Sequence, residues 1–151
     1  MNYFLRWPEY NVIAESLDGR TIGYVMGKSE GNGKDWHGHV TVLTVAPAYR
    51  RLGMGNRLMA QLEAVSDQGQ MWFVDPFVRE SNTAAIGMYQ RMGYTLYRRV
   101  LEYYGNPKED AYGRCLINTR GSHCLFRYEE GAHTRCQEAV SHTTFSSSAR
   151  I

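Results

Sequence analysis

The chain has 151 residues, one domain's worth, with 43% hydrophobic and 21% charged residues, the balance of an ordinary globular protein. Its net charge is only +2 and its densest basic runs are the pairs Arg50-Arg51 and Arg98-Arg99, which argues against direct nucleic-acid binding. No apolar run approaches bilayer-spanning length and residues 1–10 lack a signal-peptide stretch, so no membrane association and a cytoplasmic location are expected.

Residues 11–17 (NVIAESL) read as a strand and residues 21–28 (TIGYVMGK) as its hairpin partner, with Asp18-Gly19 as the turn signal. A Gly-rich loop follows over 29–35. Residues 37–46 (HGHVTVLTVA) form a third strand whose apolar, β-branched centre predicts a central position covered on both faces, ended by Pro47. Over 53–67 the spacing of Leu58, Met59, Leu62 and Val65 predicts a helix with one apolar face. Residues 71–78 (MWFVDPFV) are a short strand in which Pro76 points to a bulge or strand end rather than mid-sheet. A second helix spans 82–92, with Asn82 as its N-cap and Gly93 as its stop. A long strand over 94–104, a polar loop over 105–110 and a last strand over 112–118 complete the domain. From Thr119 the sequence is polar and without period, so 119–151 is expected to be a poorly ordered tail. The strand–helix–strand–helix–strand order predicts an α/β sheet with crossovers.

Cysteines Cys115, Cys124 and Cys136 are odd in number and lie in the last third, a poor disulfide framework, so reduced thiols are the simpler reading. Cys124, Cys136, His123 and His133 match no structural zinc spacing, and no metal is expected.

Two motifs carry chemistry. Arg50-Arg51-Leu52-Gly53-Met54-Gly55 lies between a strand and a helix. Glycines there let the backbone approach a ligand, the helix start presents free N–H groups to an anion, and two arginines add charge. A helix entry with surface arginines reads equally well from the local pattern alone. The second motif is the helix from Asn82 to Tyr89, followed by Gly93-Tyr94. Asn82 and Tyr89 are about two turns apart and share a face; Tyr89 is there either core packing or a hydroxyl donor to a ligand.

Taken together, Arg-x-x-Gly-x-Gly over 50–55 and Asn-x-x-Ala-x-x-x-Tyr-x-x-x-Gly-Tyr over 82–94 resemble the GNAT acetyltransferase superfamily. Further segments are similar to the NatB type of protein N-terminal acetyltransferase catalytic subunits. They include Trp7-Pro8-Glu9-Tyr10, Trp36-His37-Gly38-His39-Val40-Thr41, Phe77-Val78-Arg79 and Glu102-Tyr103-Tyr104. The likeness runs from Trp7 to Tyr112. The resemblance implies the GNAT fold over 1–118: an α/β domain with a mixed, mostly antiparallel central sheet flanked by helices. The family opens with a further strand and two helices, whereas only Met1 to Arg6 precede Trp7 here, so an N-terminally truncated form is expected. After Asp110-Ala111-Tyr112 the chain departs from the family's charged final strand.

By the same resemblance, acetyl-CoA is the cosubstrate. Arg50, Arg51, Leu52, Gly53, Met54 and Gly55 would hold its pyrophosphate, Leu43, Thr44 and Val45 its pantetheine arm, and Asn82 and Tyr89 would flank its other side. Tyr89 is the implied catalytic acid. His39 and Thr41 would read the second residue of the substrate, with Tyr103 and Tyr104 lining the groove opposite. Read without the family, His37 and His39 are polar residues at a strand end and one of the two tyrosines is strand packing. The implied partners are nascent protein N-termini and a helical-repeat auxiliary subunit that reaches the ribosome. Competing readings are a weak or inactive form that binds coenzyme A or that subunit, and a GNAT enzyme acting on other amines.

Overall fold

A computed structural model describes residues 3–117. A short helix α1 (Tyr3–Arg6) and a single 3-10 turn over Pro8–Tyr10 lead into β1 (Asn11–Glu15). Then come β2 (Thr21–Glu30), β3 (His37–Val45), α2 (Met54–Gln68), β4 (Phe73–Arg79), α3 (Thr83–Arg91), β5 (Thr95–Gly105) and β6 (Lys108–Ile117). Among the described residues the strands form one six-stranded sheet in the order β1-β2-β3-β4-β6-β5. Only β3 and β4 pair parallel, joined by the crossover helix α2; the other neighbours are antiparallel. The expected mixed, mostly antiparallel sheet with flanking helices is what forms.

Helix α2 presents buried Leu58, Met59 and Leu62 to the sheet, at the spacing that puts them on one face. Each such side chain contributes about 1.5–3 kcal/mol by leaving water. They pack with Tyr10, Val25, Val40, Val74, Val78, Tyr89 and Tyr94 in a single core. Close approach of α2 to β3 needs Gly38, because a Cβ there would come within 2.2 Å of Ser66 Oγ. Ser66 is itself buried and donates to the Leu62 carbonyl at 2.9 Å, so its hydroxyl is satisfied inside the helix.

Three sequence expectations are corrected. The central strand β3 is covered only in its first half: Gly38, His39 and Val40 are buried, but Thr41 and Thr44 are exposed. Pro76 makes neither a bulge nor a strand end; it lies buried in the middle of β4. The two findings share a cause, for Val40↔Pro76 is the last register pair of β3 with β4, and beyond it the strands part. A residue without an N–H costs least where the ladder ends. The expected polar loop over 105–110 shrinks to a turn at Asn106 and Pro107, and β6 starts at Lys108 instead of Tyr112. Its polar start is held by ion pairs, Glu109 to Arg79 at 3.1 Å and Asp110 to Arg99 at 2.9 Å. In the sheet, β6 is inserted between β4 and β5. The expected tail over 119–151, with Cys124, Cys136, His123 and His133, lies outside the described residues.

Candidate functional site

The separation of β3 from β4 creates the site. Strand β3 stays paired with β2 along its length, from Glu30↔His37 to Gly23↔Val45, while its other edge has no strand partner over 41–45 among the described residues. Main-chain groups on such an edge are a template for an extended ligand. Leu43, Thr44 and Val45, expected to hold a pantetheine arm, all lie on this stretch.

Beyond Val45 a 3-10 turn over Pro47–Tyr49 delivers the chain to the start of α2. Arg51 (φ 66°) and Gly53 (φ 77°) both adopt left-handed backbone. At Gly53 a glycine does this without cost, and no side chain caps the helix there. The first N–H groups of α2 therefore face outward with the positive end of the helix dipole behind them. Arg50, Arg51 and Leu52 are exposed around this concavity, and Arg50 Nε donates to the Val45 carbonyl at 3.0 Å, tying the cradle to the open edge. Met54 is half-buried at the helix start. Gly55 has a different reason to be glycine than ligand approach: a Cβ there would meet Met88 Sδ of α3 at 3.0 Å.

Helix α3 flanks the gap. Asn82 is its N-cap, as the sequence predicts, and its Oδ1 accepts from the Ala85 N–H at 3.1 Å, which fixes the side chain at the helix start. Tyr89 is buried, with its ring edge-on to Tyr94 at 5.3 Å. Burial and the neighbouring Tyr104 phenol push its pKa up, and its hydroxyl has no hydrogen-bond partner among the described residues. The choice between packing and proton donation is thus not exclusive, since the ring fills the core while the hydroxyl stays protonated and unengaged.

At the foot of the gap a polar cluster occupies the sheet. Asp75, 3% exposed, accepts from Tyr97 Oη at 2.9 Å and lies 2.8 Å from His39 Nδ1. His37 Nδ1 donates to the Asp35 carbonyl at 2.5 Å, and its Nε2 lies 3.6 Å from Asp75. Strand β2 sets Lys28 opposite His39 and Glu30 opposite His37, and these two charges pair with each other. An aromatic path continues from His39 to Phe77 (5.4 Å), Tyr103 (4.9 Å) and Tyr104 (5.0 Å). Tyr104 Oη donates to the Phe77 carbonyl at 3.2 Å and its ring lies under the Arg79 guanidinium at 3.9 Å. The two tyrosines from β5 are thus brought against the same gap as His39, while Thr41 is exposed on the open edge. Asp75 and Tyr97 were not singled out from the sequence, and Phe77 only as part of a resembling segment; the signal available for Asp75 was the lone acid in the apolar run over 71–78. Among the described residues no group of three or more His, Cys, Asp and Glu is placed to hold a metal ion.

Comparison with known proteins follows this geometry. The sequence profile described as the acetyltransferase (GNAT) family matches residues 1–94. The chain is 52% identical over 110 residues to the N-terminal acetyltransferase B complex catalytic subunit NAA20 of Arabidopsis thaliana, covering 72% of this chain and 63% of that protein. It is 43% identical over 144 residues to the corresponding subunit of Schizosaccharomyces pombe, covering 92% of this chain and 80% of that protein. The crystal structure of Chaetomium thermophilum Naa20 in complex with a bisubstrate analogue superposes with a TM-score of 0.77 at 39% identity, over 87% of this chain and 78% of that one. The NatB acetyltransferase complex bound to CoA and MES gives a TM-score of 0.70 at 33% identity, over 76% of this chain and 77% of that one. The chain thus spans less than two thirds of the length of the Arabidopsis relative.

Proposed function

The chain belongs to the acetyltransferase (GNAT) family, and from that premise we propose that it transfers acetyl from acetyl-CoA to the α-amino group of protein N-termini in the cytosol. Starts of Met-Asp, Met-Glu, Met-Asn and Met-Gln would be preferred. Nascent chains would be presented by an auxiliary subunit of a NatB-type complex, in keeping with the relatives' names and with the complex whose structure resembles this fold. One observation carries the reading. The unpaired half of β3 leads, through the turn over Pro47–Tyr49, to the arginine-lined start of α2, so an extended arm and the pyrophosphate beyond it can be held in one continuous track.

The residues fit that cosubstrate. The free edge over 41–45 pairs with amides of an extended arm, and the uncapped N-terminus of α2 with Arg50 and Arg51 takes phosphate charge. Acetyl-CoA supplies the acetyl group as an activated thioester. The accepting amine must be neutral, and an α-amine with a pKa of about 8 loses its proton to water or a nearby base at modest cost. Tyr89, kept protonated by burial, would donate a hydrogen bond to the leaving sulfur, whose own basicity would rise in the same dry surroundings. His39, with Thr41 beside it on the open edge, reads the second residue of the substrate, and Tyr103 and Tyr104 close the groove.

The test is acetyl transfer from acetyl-CoA to peptides starting Met-Asp, Met-Asn, Ser and Ala, with the chain alone and with a NatB auxiliary subunit. Transfer to the first two in preference to the last two is expected. Preference for Ser or Ala starts would sink the NatB-type specificity, and no transfer under either condition would sink the catalytic reading.

A further inference from the structure

We propose that Asp75 is a positioning residue that makes His39 a proton-coupled reader, so that acidic second residues bind with uptake of one proton and amide second residues bind without it. The inference rests on the acetyltransferase reading above.

Asp75 is buried in mid-β4 and receives two contacts of hydrogen-bond length, from Tyr97 Oη at 2.9 Å on Oδ2 and from His39 Nδ1 at 2.8 Å on Oδ1. A carboxylate only accepts hydrogen bonds, so the hydrogen of His39 sits on Nδ1. A neutral imidazole then offers Nε2 as an acceptor, and Nε2 has no hydrogen-bond partner among the described residues. The ring is held in plane by the edge contact with Phe77 at 5.4 Å.

Which charges surround the pair matters. From β3 there is His37, and from β2 the mutually paired Lys28 and Glu30, set opposite His39 and His37. From β5 there are Tyr97 on Asp75, Arg98 over the Phe77 ring at 4.8 Å, and Tyr103 against Phe77. Lys28 is matched by Glu30 and Arg98 is spread over an aromatic face. The carboxylate in direct contact with His39 is Asp75.

An Asn or Gln side chain carries an NH₂ and can donate to the Nε2 acceptor as it stands. An Asp or Glu side chain offers only acceptors, so no hydrogen bond forms until Nε2 gains a hydrogen. That proton comes from solvent. It produces an imidazolium between two carboxylates, Asp75 and the substrate's own, which is the stronger charge-assisted arrangement. Preference for acidic over amide starts therefore falls as pH rises. The deprotonation of the substrate α-amine acts on both kinds of peptide and cancels in their ratio.

The experiment uses the full chain and measures kcat/KM for matched Met-Asp and Met-Asn peptides from about pH 5.5 to 8.5, the span over which histidine changes charge. The Met-Asp to Met-Asn ratio is expected to fall with pH, approaching about tenfold per unit where a full proton is taken up. In Asp75→Asn the side-chain amide can donate to Nδ1, which moves the imidazole hydrogen to Nε2 and makes neutral His39 a donor. The ratio should then lose its pH dependence. Calorimetry of the native protein in two buffers of different ionisation enthalpy gives a second readout that does not depend on the variant folding. Because release of the α-amine proton is common to both, net proton uptake with the Met-Asp peptide should exceed that with the Met-Asn peptide by one. Parallel pH profiles, equal proton uptake, or an unchanged slope in a folded Asp75→Asn protein overturn this inference and leave the acetyltransferase reading standing. If neither peptide is acetylated, both fall.

Discussion

Gly113 on β6 gives a sharp test of how tightly the polar cluster is supported from the adjoining strand. A Cβ at this position would lie 2.9 Å from Arg98 Cγ, 2.9 Å from Phe77 Cε1 and 3.0 Å from Tyr97 Cε1. Carbon atoms pack at about 3.5–4.0 Å, so Gly113→Ala forces three side chains to retreat together. Two of them are not free to do so. Tyr97 is pinned through its hydroxyl to Asp75, and Phe77 is wedged between His39 and Tyr103. Forcing one methyl into a packed site costs about 1–3 kcal/mol, against a gain of about 0.5–1 kcal/mol from replacing a strand glycine by alanine. With two of the three neighbours held in place the cost lies in the upper part of that range, about 2–3 kcal/mol, which leaves a net destabilisation of about 1–2.5 kcal/mol, or a fall in Tm of roughly 2–10 °C for a chain of this size. Urea unfolding at equilibrium and a thermal scan measure both. Because the displaced rings hold the Asp75–His39 pair, kcat/KM for a Met-Asp peptide should fall as well. An alanine variant as stable as the native protein would show that the cluster is loosely packed and that Tyr97 does not hold Asp75 in place.

Replacing both Arg50 and Arg51 by Ala should weaken coenzyme A binding in a calorimetric titration. Charge-assisted bonds are worth about 1.5–3 kcal/mol each, and exposure of both side chains puts the loss at the lower end, about tenfold per arginine. Unchanged affinity would remove the cradle from the site. Tyr89→Phe should leave stability within about 0.5 kcal/mol, since no hydrogen bond is lost, and lower turnover by up to about 10²–10⁴-fold; equal turnover with chemistry rate-limiting would return Tyr89 to packing alone. Glu63 is held above the usual carboxylate range by burial, despite accepting from Tyr94 Oη at 2.8 Å. A raised folded-state pKa means that its ionisation erodes stability as pH climbs through that range. Glu63→Gln should thus stabilise the fold at pH 7 and do so by less at pH 4, and urea unfolding showing the larger gain at pH 4 would contradict the assignment.

Local signals in the sequence were strong where local physics decides. The apolar spacing of Leu58, Met59 and Leu62 placed α2, Asn82 marked the cap of α3, and the Arg50–Gly55 segment fell at the start of a helix as expected. What stayed hidden was non-local. The β-branched run of β3 looks covered throughout, yet its coverage ends where β4 diverges, and that depends on the partner strand rather than on β3 itself. Lys108, Glu109 and Asp110 have poor strand propensity and join β6 through ion pairs with side chains outside the segment, Glu102 and Arg99 on β5 and Arg79 on β4. Asp75 was passed over because an acid inside an apolar run shows its purpose only when His39 and Tyr97 arrive from two other strands.

The strand order has a consequence for how the domain is born. The pair that closes the sheet, β4 with β6, joins segments separated by a helix and a whole intervening strand. During vectorial synthesis β4 emerges first and β5 follows with no partner, so two strand edges wait for the chain between Lys108 and Ile117. Until that segment threads between them, the half bearing Tyr97, Tyr103 and Tyr104 is not joined to the half bearing His39 and Asp75. Long-range insertions of this kind are intrinsically slow, and bare strand edges are where self-association would begin. A chain ending shortly after Ala111 would carry all of β3 and α2 but could not yet bring Tyr103 and Tyr104 against His39 and Asp75.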